Sequence, residues 1–241
     1  MDYQEDVAVM WTYNEKADLL RNHFKGRFEE WAKLSNAAIL GKLLREDLLL
    51  QPRIRQRINE FKAASFDKKT VGVHVRYTDH RTRLWAALHG LKRLLKREHS
   101  LRIFLSTDNV QIKRMFENSY SRVVMTPHWF PSKPGLAIHT DHDRPDPIEN
   151  GTEALVDLYL LAECHYLIID TSSSFAYVAA LLTNVPDSNV FNIRRTGKQP
   201  ARRRNITHGL MLKTGLFSWG LEILSAIVKL WRRQLRAKNT G

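Results

Sequence analysis

Between residues 71 and 182, short strand-like runs alternate with stretches of helical periodicity, and that order constrains the fold more than any other feature. VGVHV (71–75), RIFLS (102–106), RVVM (122–125) and YLIID (166–170) read as strands. LWAALHGLKRLLKRE (84–98), VQIKRMFE (110–117), TEALVDLYLLAEC (152–164, opened by a Thr cap) and SFAYVAALL (174–182) read as helices. Residues 126–151, rich in Pro, His, Asp and Gly, read as a long loop. Strands that alternate with helices predict an α/β fold, a Rossmann-like parallel sheet with helices on both faces. Upstream, residues 15–50 carry Leu20, Phe24, Phe28, Trp31 and Leu34 near a 3.6 period, and RIRQRINEFKAA (53–64) resumes as an amphipathic helix after Pro52.

In open parallel sheets, ligands sit beyond the carboxyl ends of the strands. Three strand ends here carry polar groups: His74-Val75-Arg76, Ser106-Thr107-Asp108-Asn109 and Asp170-Thr171-Ser172-Ser173-Ser174. An Arg closing an apolar strand points to an anion more than to a surface ion pair. Serines at a strand-to-helix turn offer a helix cap, or hydroxyls and backbone N–H groups for a phosphate. Asp157 falls on the apolar side of its helix, where a carboxylate is expensive unless it is hydrogen-bonded. An Arg would satisfy it, and so would a guanine base, which presents N1–H and an exocyclic amine to one carboxylate.

HVRYTD, FLSTDN and DLYLLAECHYLIIDTSSSFAYVAALL, in that order, resemble the three motifs of the GDP-fucose-dependent glycosyltransferases. The likeness is greatest to the α-1,6-fucosyltransferases and the bacterial nodulation fucosyltransferases, and it runs from about Pro52 to Leu182. It implies the nucleotide-binding half of a GT-B fold and the transfer of a sugar, L-fucose, from a GDP-sugar to a glycan hydroxyl with inversion. Arg76 stands where the family grips the β-phosphate, so the resemblance makes it both donor-binding and catalytic. His74 and Asp79 match the other anchors of that motif, and Asp79 is also a catalytic candidate. Asp108 matches a carboxylate beside the donor, Asp157 the residue that reads guanine, and Ser172 and Ser173 the serines on the diphosphate. The resemblance implies no metal and no further cofactor: arginine and helix dipole meet the charge.

This chain departs from the family at two places. Tyr77 replaces the second arginine of the first motif, within the donor-binding set. The following HRTRL (80–84) lacks the carboxylate that the α-1,6 enzymes carry there. The general base is then sought among Asp79, His80, Asp141 and Glu149. The expected organisation is a short helical region over 1–65 (a partial acceptor-side domain), a GDP-sugar-binding domain over 66–205 and a basic amphipathic helix over 206–241. A non-catalytic GDP-sugar or glycan binder is the alternative function.

A formal net charge of +13 raises a third reading, nucleic-acid binding. Residues 194–241 hold twelve Lys or Arg and one acid, Glu222, which leaves the preceding chain at only +2. Charge concentrated in one tail rather than across the domain argues against nucleic acid. GLFSWGLEILSAIVKLW (215–231) is interrupted by Gly220, Glu222, Ser225 and Lys229, so a peripheral anionic-membrane contact through 215–238 suits it better than a span. One cysteine, Cys164, and the absence of a basic n-region before an apolar run lead us to expect a cytoplasmic protein, at the inner face of a membrane if the tail binds there. HTDHDRPD (139–146) fits no standard metal spacing.

Overall fold

The computed structural model describes residues 21, 24, 26–46, 49–79, 81–131, 138, 141 and 145–196. Its centre is a five-stranded, all-parallel sheet in the order β3-β2-β1-β4-β5. The strands are β1 (Thr70–Val75), β2 (Arg102–Thr107), β3 (Val123–Val124), β4 (Tyr166–Ile169) and β5 (Val190–Asn192). The helices are α1 (Asn36–Glu46), α2 (Pro52–Ser65), α3 (Leu84–Arg97), α4 (Val110–Ser119), α5 (Pro147–Ala162) and α6 (Ser174–Leu182).

Every residue of β1 is buried, as expected of a central strand covered on both faces. The period of two then sorts side chains between two cores. Val71, Val73, Val75, Ile103 and Leu105 pack against Ala86, Ala87, Leu91 and Leu94 of α3 and Ile112 and Phe116 of α4. Phe104, Leu167 and Ile169 point the other way, into α5, α6, Leu44 of α1 and Ile54 and Ile58 of α2. Gly72 is needed on that second face. A Cβ there would stand 3.0 Å from Cys164 Sγ, 3.0 Å from Leu161 Cδ2 and 3.1 Å from Leu167 Cδ2. Cys164 itself is buried in this core, and burial pushes its thiol well above its usual range.

Three expectations need correction, and one strand was not expected. The helical pattern of 15–50 is not continuous among the described residues: Gly26 takes φ 58°, a 3-10 helix covers Gly26–Lys33, and Ser35 Oγ accepts from Ala38 N (3.1 Å) to open α1. The helix expected from Thr152 starts at Pro147. Asp146 caps it, its Oδ1 accepting from Ile148 N at 2.8 Å and Glu149 N at 3.0 Å, while Thr152 Oγ1 donates back to Ile148 O inside the helix. The strand at RVVM shrinks to two residues, and β5 goes unforeseen because three half-buried residues carry little periodic signal. Residues 1–20 and 197–241, and with them the tail 215–238, lie outside the described residues.

Candidate active site

The strand order reverses between β1 and β4, since β1 leads outward to β2 and β3, and β4 leads outward to β5. A crevice beyond the carboxyl ends of those two strands is the expected ligand site of a doubly wound sheet. The register Val71↔Tyr166, Val73↔Ile168 brings His74-Val75-Arg76 and Asp170–Ser174 out side by side. The His74 ring stacks on Phe175 in the first turn of α6, with centroids 5.1 Å apart and planes at 21°. That contact ties the end of β1 to the start of the helix after β4.

The loop after β1 is tightly built. Arg76 N donates to Thr82 Oγ1 (3.1 Å) and Thr82 N to Arg76 O (2.8 Å), closing residues 76–82 into one turn. Asp108, at the end of β2, accepts from Tyr77 N at 2.7 Å and from the Thr78 hydroxyl. Burial pushes the Asp108 carboxyl up, against the pull of Thr78, Tyr77 and Arg76. The Arg76 fork meets Asp79 bidentately, Nε to Oδ1 at 2.8 Å and Nη2 to Oδ2 at 2.5 Å. Arg81 lies over the Tyr77 ring, 5.5 Å from its centroid. His74, Arg76, Tyr77, Asp79 and Asp108 therefore form one neighbourhood, in which Asp108 shapes the loop that carries the arginine.

At the end of β4, Asp170 Oδ1 accepts from Ser172 N (2.9 Å) and Ser172 Oγ (2.6 Å), and Asp170 O accepts from Ser173 N (3.0 Å). Asn192 Nδ2 reaches across from β5 to Thr171 Oγ1 at 2.6 Å. This turn presents the N-terminus of α6, whose first N–H groups have no intrahelical acceptor. Ser173 sits at the N-cap without capping: its side chain makes no bond to the first turn. Its Oγ is buried, in a residue 2% exposed, and has no hydrogen-bond partner among the described residues. A buried hydroxyl left unmatched is costly, so one at a helix N-terminus points to a missing acceptor.

Asp157 is buried, as its place on the helix predicts, and its partners are hydroxyls rather than an arginine. Thr126 Oγ1 donates to Oδ1, Ser106 of β2 is a second hydroxyl partner, and His128 stands nearby. Burial pushes this carboxyl above the ordinary aspartate range, against the pull of His128 and the two hydroxyls. The His128 ring nitrogens lie 3.2 Å from Thr126 O and 3.2 Å from Thr107 O, holding the segment after β3 to the end of β2.

Among the base candidates, Asp79 is engaged by Arg76, and Glu149 pairs with Arg57 of α2 at 2.6 Å. Asp141 is buried, and His80 lies outside the described residues. Thr82, Thr126, His128, Glu153 and Asn192 go unnoticed in the sequence, and Ser106 is noticed only as part of a polar strand end. Glu153 carried a usable signal, one turn before Asp157 on the same face of α5. It accepts from Trp129 N at 3.4 Å, and burial pushes its carboxyl up. Among the described residues, no three His, Cys, Asp or Glu side chains form a metal-holding group.

No protein-family model matches the chain, and no curated protein matches it. Solved structures similar to it include NodZ α-1,6-fucosyltransferase soaked with GDP-fucose (28% identity over 56% of this chain, TM-score 0.40). They also include the same enzyme co-crystallised with GDP (25% over 70%, TM-score 0.45) and selenomethionine fucosyltransferase NodZ from Bradyrhizobium (26% over 70%, TM-score 0.46). The chain spans 43% of the first of these proteins and 57% of the other two.

Proposed function

We propose that the carboxyl edge of the β1–β4 crevice binds a GDP-sugar, and that the chain transfers the sugar, L-fucose, to a glycan hydroxyl with inversion. One observation carries this reading: two anion-holding devices meet at adjacent strand ends. One is the Arg76 fork; the other is the α6 N-terminus, with the buried, unmatched Ser173 hydroxyl at its cap. The ordered motifs HVRYTD, FLSTDN and DLYLLAECHYLIIDTSSSFAYVAALL support the same ligand.

In this reading the diphosphate takes the Arg76 fork, and Asp79 is released beside the reacting centre. The acceptor oxygen attacks the anomeric carbon as the bond to the β-phosphate oxygen breaks. Asp79 takes the acceptor proton, while Arg76 and the α6 N-terminus meet the charge that gathers on GDP. Asp108 and Thr82 hold the loop, His74 fixes it to α6, and Tyr77 and Ser172 complete the wall around the phosphates. Asp157 exchanges its hydroxyl partners for the guanine N1–H and amine. No metal is required. The segment 215–238 supplies the proposed peripheral contact with an anionic membrane.

A second reading, a GDP-sugar binder without turnover, draws on the absence of a carboxylate in Arg81–Leu84. Release of sugar from GDP-fucose, followed by NMR, separates the two. Wild-type turnover is expected to fall about a hundredfold or more in Arg76→Ala and to recover poorly in Arg76→Lys, because a point charge cannot replace a bidentate fork. Near-normal rates in the alanine variant contradict the assigned role; GDP binding without any wild-type turnover favours the second reading.

A further inference from the structure

The outer face of α3 is a strip of cations with no carboxylate on the helix itself. Arg83, Lys92, Arg93, Lys96 and Arg97 are exposed, His89 is exposed among them, and the helix contains no acidic residue. Several cations elsewhere in the domain are paired: Arg55 and Lys62 with Glu163, Arg57 with Glu149, Lys69 with Glu98, and Arg102 and Arg122 with Asp67. Neither Arg83, at the N-cap, nor Lys92, Arg93, Lys96 and Arg97 on the helix forms a salt bridge with a carboxylate among the described residues, Arg97 feeling only the neighbouring charge of Glu98. Like charges at i, i+3 and i+4 repel, so Lys92, Arg93, Lys96 and Arg97 crowd one another unless an anion joins them.

Two further features describe that anion. Trp85 is 66% exposed in the first turn of the same helix, the largest aromatic surface left open among the described residues. Near the other end, Lys92, Leu95, Lys96 and His99 line a shallow hollow with Ser119 and Tyr120, a place for one negatively charged group over an apolar floor. The strip runs straight for about 21 Å along a helix surface. Nucleic acid is tracked by a basic groove with rows of stacking rings. A straight helix face with one exposed indole and snorkelling lysines suits a plane of phosphates over an apolar layer.

We propose that the outer face of α3 docks this domain on an anionic bilayer, with a lipid phosphate in the Lys92–Lys96–His99 hollow and Trp85 at headgroup depth. This surface is distinct from the tail, and it holds whether or not the crevice binds GDP. Docking along α3 sets the carboxyl edge of the sheet, where α3 begins, beside the membrane surface.

Sedimentation of the full chain with vesicles tests it, using phosphatidylcholine alone and phosphatidylcholine with about one-third phosphatidylglycerol. The variant Lys92→Glu/Arg93→Glu/Lys96→Glu is expected to lose about tenfold or more of its partition onto the anionic vesicles, with an unchanged melting temperature. Trp85→Ser, which alters no charge, is expected to lose a smaller but measurable share. Partition of both variants equal to wild type overturns the proposal, as does a wild type that stays in the supernatant. Tighter retention of wild type on duplex DNA than on anionic vesicles at the same salt overturns the lipid assignment.

Discussion

At the scale of single residues, the carboxylates at the carboxyl edge divide by what holds them. Asp79 faces a guanidinium, whereas Asp157 faces two hydroxyls in a buried site, with His128 beside them. Burial raises the Asp157 carboxyl above its unfolded value, so the folded protein favours the protonated acid. Its contribution to stability is full below the unfolded pKa and is lost as pH rises through the folded one. Asparagine resembles the protonated acid at every pH. The melting temperature of Asp157→Asn relative to wild type is therefore expected to rise as pH climbs above the unfolded aspartate value of about 4. A relative loss over that climb would mean that the ionised carboxylate, held by His128, is the stabilising form. Asp157 could be singled out in the sequence because a charge on an apolar stripe is conspicuous. Thr126 and His128 could not, since hydroxyl and imidazole partners from a distant loop leave no local pattern.

At the scale of elements, β1 shows how one strand serves core and site together. Its odd positions fill the α3–α4 core, while Gly72 and His74 lie toward α5 and α6. Gly72→Ala is expected to cost about 1–3 kcal/mol by urea denaturation, because Cys164, Leu161 and Leu167 are themselves enclosed and must all give way. A cost near zero would show that this core relaxes freely, and then β1 would not hold His74 against Phe175 by packing. The parallel sheet was readable because β-branched runs and leucine stripes recur at regular spacing. The start of α5 was not: Gly151 and Pro147 look like breakers, yet Pro suits a first helical position and Asp146 supplies the cap. β5 is too short to show a period, whereas Phe28 and Trp31 carry a helical period through Gly26–Lys33 that is realised there as a 3-10 segment.

At the scale of the whole molecule, topology does what spacing cannot. HVRYTD and TSSS lie about a hundred residues apart, and only the reversal of strand order between β1 and β4 sets them side by side. Strand ends and their polar residues were legible. The pairing of Arg76 with Asp79, and the use of Asp108 to build the loop, required the turn after β1 to be seen closed. The central claim is that this crevice is a guanine-nucleotide diphosphate site, and titration calorimetry of the full chain with GDP and ADP tests it most directly. GDP is expected to bind at least about tenfold tighter than ADP, since Asp157 complements guanine and not adenine, with GDP affinity collapsing in Arg76→Ala. Absence of binding by either nucleotide, or equal affinity for both, would contradict it.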